Sequence, residues 1–287
     1  MQSSINNQQS SIRNQKSAIQ FSQGSLQDYV DCRRRFQLRY LLKVAWPALE
    51  AEPVLENESA MQQGALFHRL IQQHLLGIPA ERLTTLAKGS DLSRWWQNYL
   101  EFSRPSAAVL YPEVSLSMPF MGCRLVAKYD LILVGPEGRA TIYDWKTSRK
   151  RPKRAWLVER LQTRVYPYLL AQAGAHLNQG RPFLPEQIEM IYWFAEAPHD
   201  PEIITYSTGQ CAKDEAYLKS LMDEINGLGS EAFTLTAHAE RCRFCTYRSL
   251  CERGVTAGSL DELDTELEPA EEEDIDFDFD QIAEIAF

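Results

Sequence analysis

Val126-Ala127-Lys128-Tyr129-Asp130-Leu131-Ile132 and Ile142-Tyr143-Asp144-Trp145-Lys146-Thr147 flank the tetrapeptide Gly135-Pro136-Glu137-Gly138. Glycine and proline at that spacing signal a turn. Cys123 to Leu133 and Ala140 to Trp145 therefore read as the two arms of a hairpin. Asp130 lies in one arm and Asp144 near the end of the other. Two carboxylates on neighbouring strands repel each other unless a divalent cation sits between them. Lys146 follows Asp144 by two positions, so on an extended strand it projects from the same face. Two acids and a lysine on one face suit phosphodiester hydrolysis. A metal there polarises the phosphoryl oxygen and acidifies a water, and the lysine orients that water or stabilises developing charge. An Asp-x-Lys pair taken alone is more often a solvated strand face.

Outward from the hairpin, Glu113 to Met118 alternates with period two and predicts a further strand. Ala155 to Gly174 has helical spacing, followed by strands over Ile188 to Phe194 and Ile203 to Tyr206 and a helix over Asp214 to Leu228. Strands joined by a crossing helix predict an α/β fold with a mixed sheet flanked by helices. Upstream, Ala60 to Leu76 and Leu92 to Phe102 are helical in pattern, and residues 60–105 read as a helical insertion. The folded body is expected to open at Ser22 to Ser25, with Ser25 capping a helix that carries Leu26, Tyr29, Cys32 and Phe36.

These stretches resemble the PD-(D/E)XK nuclease superfamily, and within it the RecB-like branch. That branch typically shows Gly-x-x-Asp and Asp-Tyr-Lys-Thr strands and a Gln-x-x-x-Tyr helix. Here Lys128-Tyr129-Asp130, Asp144-Trp145-Lys146-Thr147 and Gln162-Thr163-Arg164-Val165-Tyr166 follow in that order. Ala127 stands where relatives usually have glycine. Gly64-Ala65-Leu66-Phe67-His68 resembles the family's Gly-x-x-x-His helix. The resemblance implies that His68, Asp130 and Asp144 bind Mg²⁺ or Mn²⁺ with the Trp145 carbonyl, and that Lys146 is the catalytic lysine. It also implies that Gln162 and Tyr166 face the site and place the scissile strand. Glu113 is an additional acidic candidate. The activity implied is that of a metal-dependent deoxyribonuclease, an exonuclease on single-stranded ends, in repair, recombination or CRISPR-related processing. The alternative is a non-catalytic DNA-binding subunit of a repair or CRISPR complex.

Cys242-x-x-Cys245 and Cys251 form a tight three-thiol set, for which Cys32 is the natural fourth member. Four thiolates suit a zinc ion or an iron–sulfur cluster, and spacing does not choose between them. The chain resembles cluster-bearing RecB-like nucleases, among them CRISPR-associated RecB-type exonucleases and the AddB nuclease domain. That resemblance implies a [4Fe–4S] cluster. Cys123 and Cys211 read as packing residues.

The chain of 287 residues carries a net charge of −9, but all 13 acids of Gly254 to Phe287 lie in a stretch without Lys or Arg. The remainder holds 30 basic and 26 acidic residues, a balance compatible with a polyanion partner. Arg149, Lys150, Arg151, Lys153 and Arg154 form a basic run directly after the hairpin, continued by Arg160 and Arg164, and suit phosphate tracking. Trp145 and Trp156 are candidates for base stacking or for the core. The expected organisation is a disordered leader over 1–21, a nuclease domain over 22–254 and an acidic disordered tail over 255–287. The tail is expected to dock a partner or the basic surface, and any unwinding to come from a separate helicase. No apolar run approaches the roughly 18 residues of a membrane span, so a cytoplasmic protein is expected.

Overall fold

The computed structural model describes residues 20–45, 54–102 and 108–258. The expected leader, up to residue 19, and the acidic tail beyond residue 258 lie outside them. Among the described residues six strands form one mixed sheet: β1 (Gln20–Phe21), β2 (Val109–Phe120), β3 (Cys123–Val134), β4 (Ala140–Lys146), β5 (Ile188–Phe194) and β6 (Glu202–Thr205). The predicted hairpin is present as β3 and β4, antiparallel from Leu131↔Tyr143 to Val134↔Ala140. β2 runs antiparallel along the other edge of β3, and β1 pairs in parallel with its start. Gln20 and Phe21 thus join the sheet although sequence places them in the leader. Two residues are too short to show a strand period.

The helices are α1 (Gln23–Asp31), α2 (Arg33–Phe36), α3 (Val54–Leu75), α4 (Ala80–Thr84), α5 (Ser90–Glu101), α6 (Arg154–Glu159), α7 (Leu161–Ala173) and α8 (Thr208–Gly227). Ser22, rather than Ser25, caps α1, and Ser25 completes a reciprocal capping box with it. The predicted helix over Ala155 to Gly174 is two helices, because Arg160 is extended between α6 and α7. The final helix begins earlier than expected, where the Ser207 side chain caps Thr208–Gly227.

Each face of the sheet buries its own core. On one, Ile142, Tyr129 and Ile132 pack with Leu26 of α1 and with Leu161, Val165 and Leu169 of α7. On the other, Tyr143, Trp145 and Trp193 meet Phe67 and Leu70 of α3 and Trp95, Trp96 and Tyr99 of α5. The helical insertion is thus a lid of aromatic side chains on the second face. Trp145 is 2% exposed, so its ring belongs to this core. Cys211 is buried and Cys123 half-buried, both outside any disulfide and packed against the first core. Among the described residues no helix is long and apolar enough to cross a membrane.

Candidate active site and cysteine pocket

β3 and β4 stop pairing after Leu131↔Tyr143, one position short of Asp130 and Asp144. At the fork the Trp145 amide donates to Asp130 Oδ2 at 2.8 Å, so a carboxylate replaces the next ladder acceptor. β4 remains paired on its other edge, in parallel with β5 as far as Lys146↔Phe194. Asp144 and Lys146 share a face, as predicted, with Lys146 Nζ 3.1 Å from Asp144 Oδ2. Gln162 of α7 closes the group: its Nε2 donates to Asp144 Oδ1 at 2.6 Å, and its Oε1 accepts from Lys146 Nζ at 3.2 Å. All three side chains are buried.

His68 projects from α3, and its Nδ1 lies 3.1 Å from Asp130 Oδ1. Gly64, one turn earlier, permits this approach, since a Cβ there would stand 3.0 Å from Thr147 Oγ1. Burial alone would lower the His68 imidazole, but Asp130 outweighs it and the pKa rises to about 9. Burial alone would raise Asp130, but His68, the Trp145 amide and Lys146 hold it below the ordinary carboxylate value.

Glu113 completes a donor group that sequence only partly foresaw. Atoms of His68, Glu113 and Asp130 lie within 4.8 Å of one another, the one such set of three among the described residues. Asp144 falls outside that tight set and stands beside it, tied to Gln162 and Lys146. Glu113 has φ 51° within an extended strand, at the step the β2–β3 register skips between Pro112↔Leu131 and Val114↔Tyr129, and Asp130 is the residue skipped on β3. The side-chain alternation slips there: Ala127 and Tyr129 face the first core but so does Ile132, and Leu116 faces it but so does Tyr111. The slip carries Glu113 and Asp130 to the same edge of the fork. Lys128 Nζ pairs with Glu113 at 2.6 Å. One imidazole and a set of carboxylates suit a hard divalent cation such as Mg²⁺ or Mn²⁺.

Tyr166 is buried and its hydroxyl donates to the Lys128 carbonyl at 2.7 Å, while Tyr129 donates to the Tyr166 carbonyl at 2.9 Å. Tyr166 therefore braces β3 behind the site. The basic run is partly occupied by the protein's own acids. Arg151 pairs with Asp200 at 2.7 Å and Glu202 at 3.0 Å, Arg154 with Glu202, and Arg149 with Asp91 at 3.7 Å. Lys150 and Lys153 are exposed. Arg164 is held by the buried Asp214, and Arg160 lies over the Trp156 ring at 4.5 Å.

Cys32, Cys242, Cys245 and Cys251 line one pocket, together with Arg35, Arg248, Tyr247 and Leu235. The four thiols do not form a three-donor group within 4.8 Å. Burial raises the Cys242, Cys245 and Cys251 thiols. Arg35 is fixed by Asp28 at 2.7 Å and Asp31 at 3.2 Å, and its Nε is buried without a hydrogen-bond partner. A buried orphan donor beside four thiols fits a pocket built for an anionic thiolate centre.

A mixed sheet with two aspartates and a lysine at a splayed hairpin defines a phosphodiesterase-like α/β framework. The chain belongs to the PD-(D/E)XK nuclease superfamily, whose model matches residues 20–252. Among solved structures it is similar to SSO0001, with 16% identity over 81% of this chain and 85% of that one and a TM-score of 0.43. It is also similar to a proposed exonuclease from Eubacterium rectale, with 10% identity over 74% and 81% of the two chains and a TM-score of 0.47. No curated protein sequence matches significantly.

Proposed function

We propose that the protein is a Mg²⁺- or Mn²⁺-dependent deoxyribonuclease that works from single-stranded ends. The observation that carries this reading is the convergence of Asp130, Asp144 and Lys146 at the fork between β3 and β4, with Gln162 bonded to the last two. His68, Asp130 and Glu113 would hold the cation, with Asp144 beside it. The bound cation would polarise the scissile phosphate and lower the pKa of a water. Lys146 holds its ammonium within a buried group, where a fixed positive charge stabilises developing negative charge more than it would in water. Gln162 fixes the orientation of that ammonium and of the Asp144 carboxylate. Lys150 and Lys153 would meet the backbone of the incoming strand.

Cys32, Cys242, Cys245 and Cys251 would hold a [4Fe–4S] cluster. Four thiolates also suit a single zinc ion, and the colour and metal content of the purified protein separate the two.

The test is cleavage of end-labelled single-stranded DNA with Mn²⁺ by anaerobically purified protein. Wild type is expected to shorten the label progressively, and Lys146→Ala to lose on the order of 10²–10³ in rate while keeping its brown colour. An active Lys146→Ala protein sinks the assignment of the site. Colourless protein containing zinc sinks the cluster.

A further inference from the structure

α7 begins without a cap of its own. Arg160, at its N-cap position, makes no side-chain hydrogen bond to the first turn, and that turn contains no acidic residue. The amides of a first helical turn have no acceptor within the helix and must find one elsewhere. The Leu161 amide finds it in another helix: it donates to Gln27 Oε1 of α1 at 3.2 Å. The residue after Leu161 is Gln162, whose amide group holds both Asp144 and Lys146.

The other end of Gln27 leads to the cysteine pocket. Gln27 Nε2 donates to Asp31 Oδ1 at 3.1 Å. Asp31 also receives Arg35, which lines the pocket, at 3.2 Å, and Arg241, the neighbour of Cys242, at 2.7 Å. A continuous set of side chains therefore runs from the pocket wall through Asp31 and Gln27 to the first turn of α7. Gln27 is the single member that touches both halves.

We infer that Gln27 is a positioning residue: it caps α7 from α1 and so locks Gln162 against Asp144 and Lys146, using the wall of the cysteine pocket as its anchor. The inference rests on the nuclease reading above. Gln27 touches none of the reacting groups, so its contribution belongs in turnover rather than in DNA binding.

Steady-state cleavage of single-stranded DNA with Mn²⁺ tests this on the full chain. Gln27→Ala is expected to lower kcat about three- to tenfold, the worth of one hydrogen bond, with KM and iron content unchanged. Gln27→Glu keeps an acceptor for the Leu161 amide but loses the donor to Asp31 and sets a second carboxylate beside it, so it is expected to recover only part of that loss. Hydrogen exchange supplies a readout independent of activity: amides at the start of α7 should exchange faster in Gln27→Ala, and by less in Gln27→Glu. In a Gln162→Ala background, Gln27→Ala should cost little further, because the two act in series. Wild-type kcat and exchange in Gln27→Ala, or an equal loss in the Gln162→Ala background, overturns the inference while leaving the nuclease reading intact. Wild-type protein that cleaves nothing overturns both.

Discussion

At Glu113 the backbone is held at φ 51°, where a side chain costs about 1–2 kcal/mol relative to glycine. The strain is consistent with a site that uses the carboxylate. Glu113→Gly should therefore leave the melting temperature equal or higher, while weakening Mn²⁺ binding roughly tenfold or more. Melting and metal titration of one preparation check both halves, and tight Mn²⁺ binding by the variant removes Glu113 from the donor set. His68 makes the site pH-sensitive. Its pKa is raised from the ordinary 6.5 to about 9, so the protonated His68–Asp130 pair stabilises the metal-free protein fully below pH 6.5. That contribution disappears as pH rises through about 9. A cation requires the neutral imidazole and runs the opposite way. Mn²⁺ affinity should rise with pH by up to roughly tenfold per unit below about 9, with about one proton released per ion. Calorimetry in two buffers of different ionisation enthalpy measures that proton, and pH-independent affinity refutes the role of His68. Asp130, Asp144 and Lys146 were legible in sequence because strand alternation puts Asp144 and Lys146 on one face and the turn pairs the arms. The place of Glu113 was not, because it depends on an unusual φ that the preceding Pro112 alone does not foretell in a stretch alternating like a strand.

Between elements, the closest constraint on the site is the contact of α3 with the end of β4. Gly64→Ala would set a Cβ 3.0 Å from Thr147 Oγ1, so α3 must back away or Thr147 must turn. Since α3 carries His68, a loss of about 1–3 kcal/mol in stability should come with weaker metal binding. Thr147→Ala removes the obstructing oxygen and should restore both in the double variant. If the double variant is no better than Gly64→Ala alone, the contact is not the cause. Most elements followed from periodicity, and β5 was read with its bounds intact. The break at Arg160 was not visible, since Arg160 is an acceptable helix residue and the side chain that meets the first amide of α7, Gln27, lies 134 residues away in sequence. The irregularity at Glu113 and Asp130 was hidden for a related reason. β2 and β3 slip together, so their mutual register stays constant while the faces exchange.

For the molecule as a whole, the cysteine pocket joins the start of the domain to its end. Asp31–Arg241, Tyr247–Val44 and Asn57–Gly258 cross the same junction. Joining segments about 200 residues apart removes considerable freedom from the unfolded chain. Cys251→Ser should therefore lower the melting temperature on the order of 10 °C and reduce bound iron. An unchanged melting curve would show that packing alone closes the domain. The four cysteines were legible as a set from their spacing and the family resemblance, while the side chains connecting them to the active site are visible only in three dimensions. This arrangement has a consequence for how the protein is made. Cys32 leaves the ribosome about 200 residues before Cys242, so β1 can pair with β3 and α1 can pack on α7 before the other side of the cysteine pocket exists. A chain stopped before Cys242 already contains His68, Asp130, Asp144 and Lys146, but none of the three cysteines that line the pocket with Cys32.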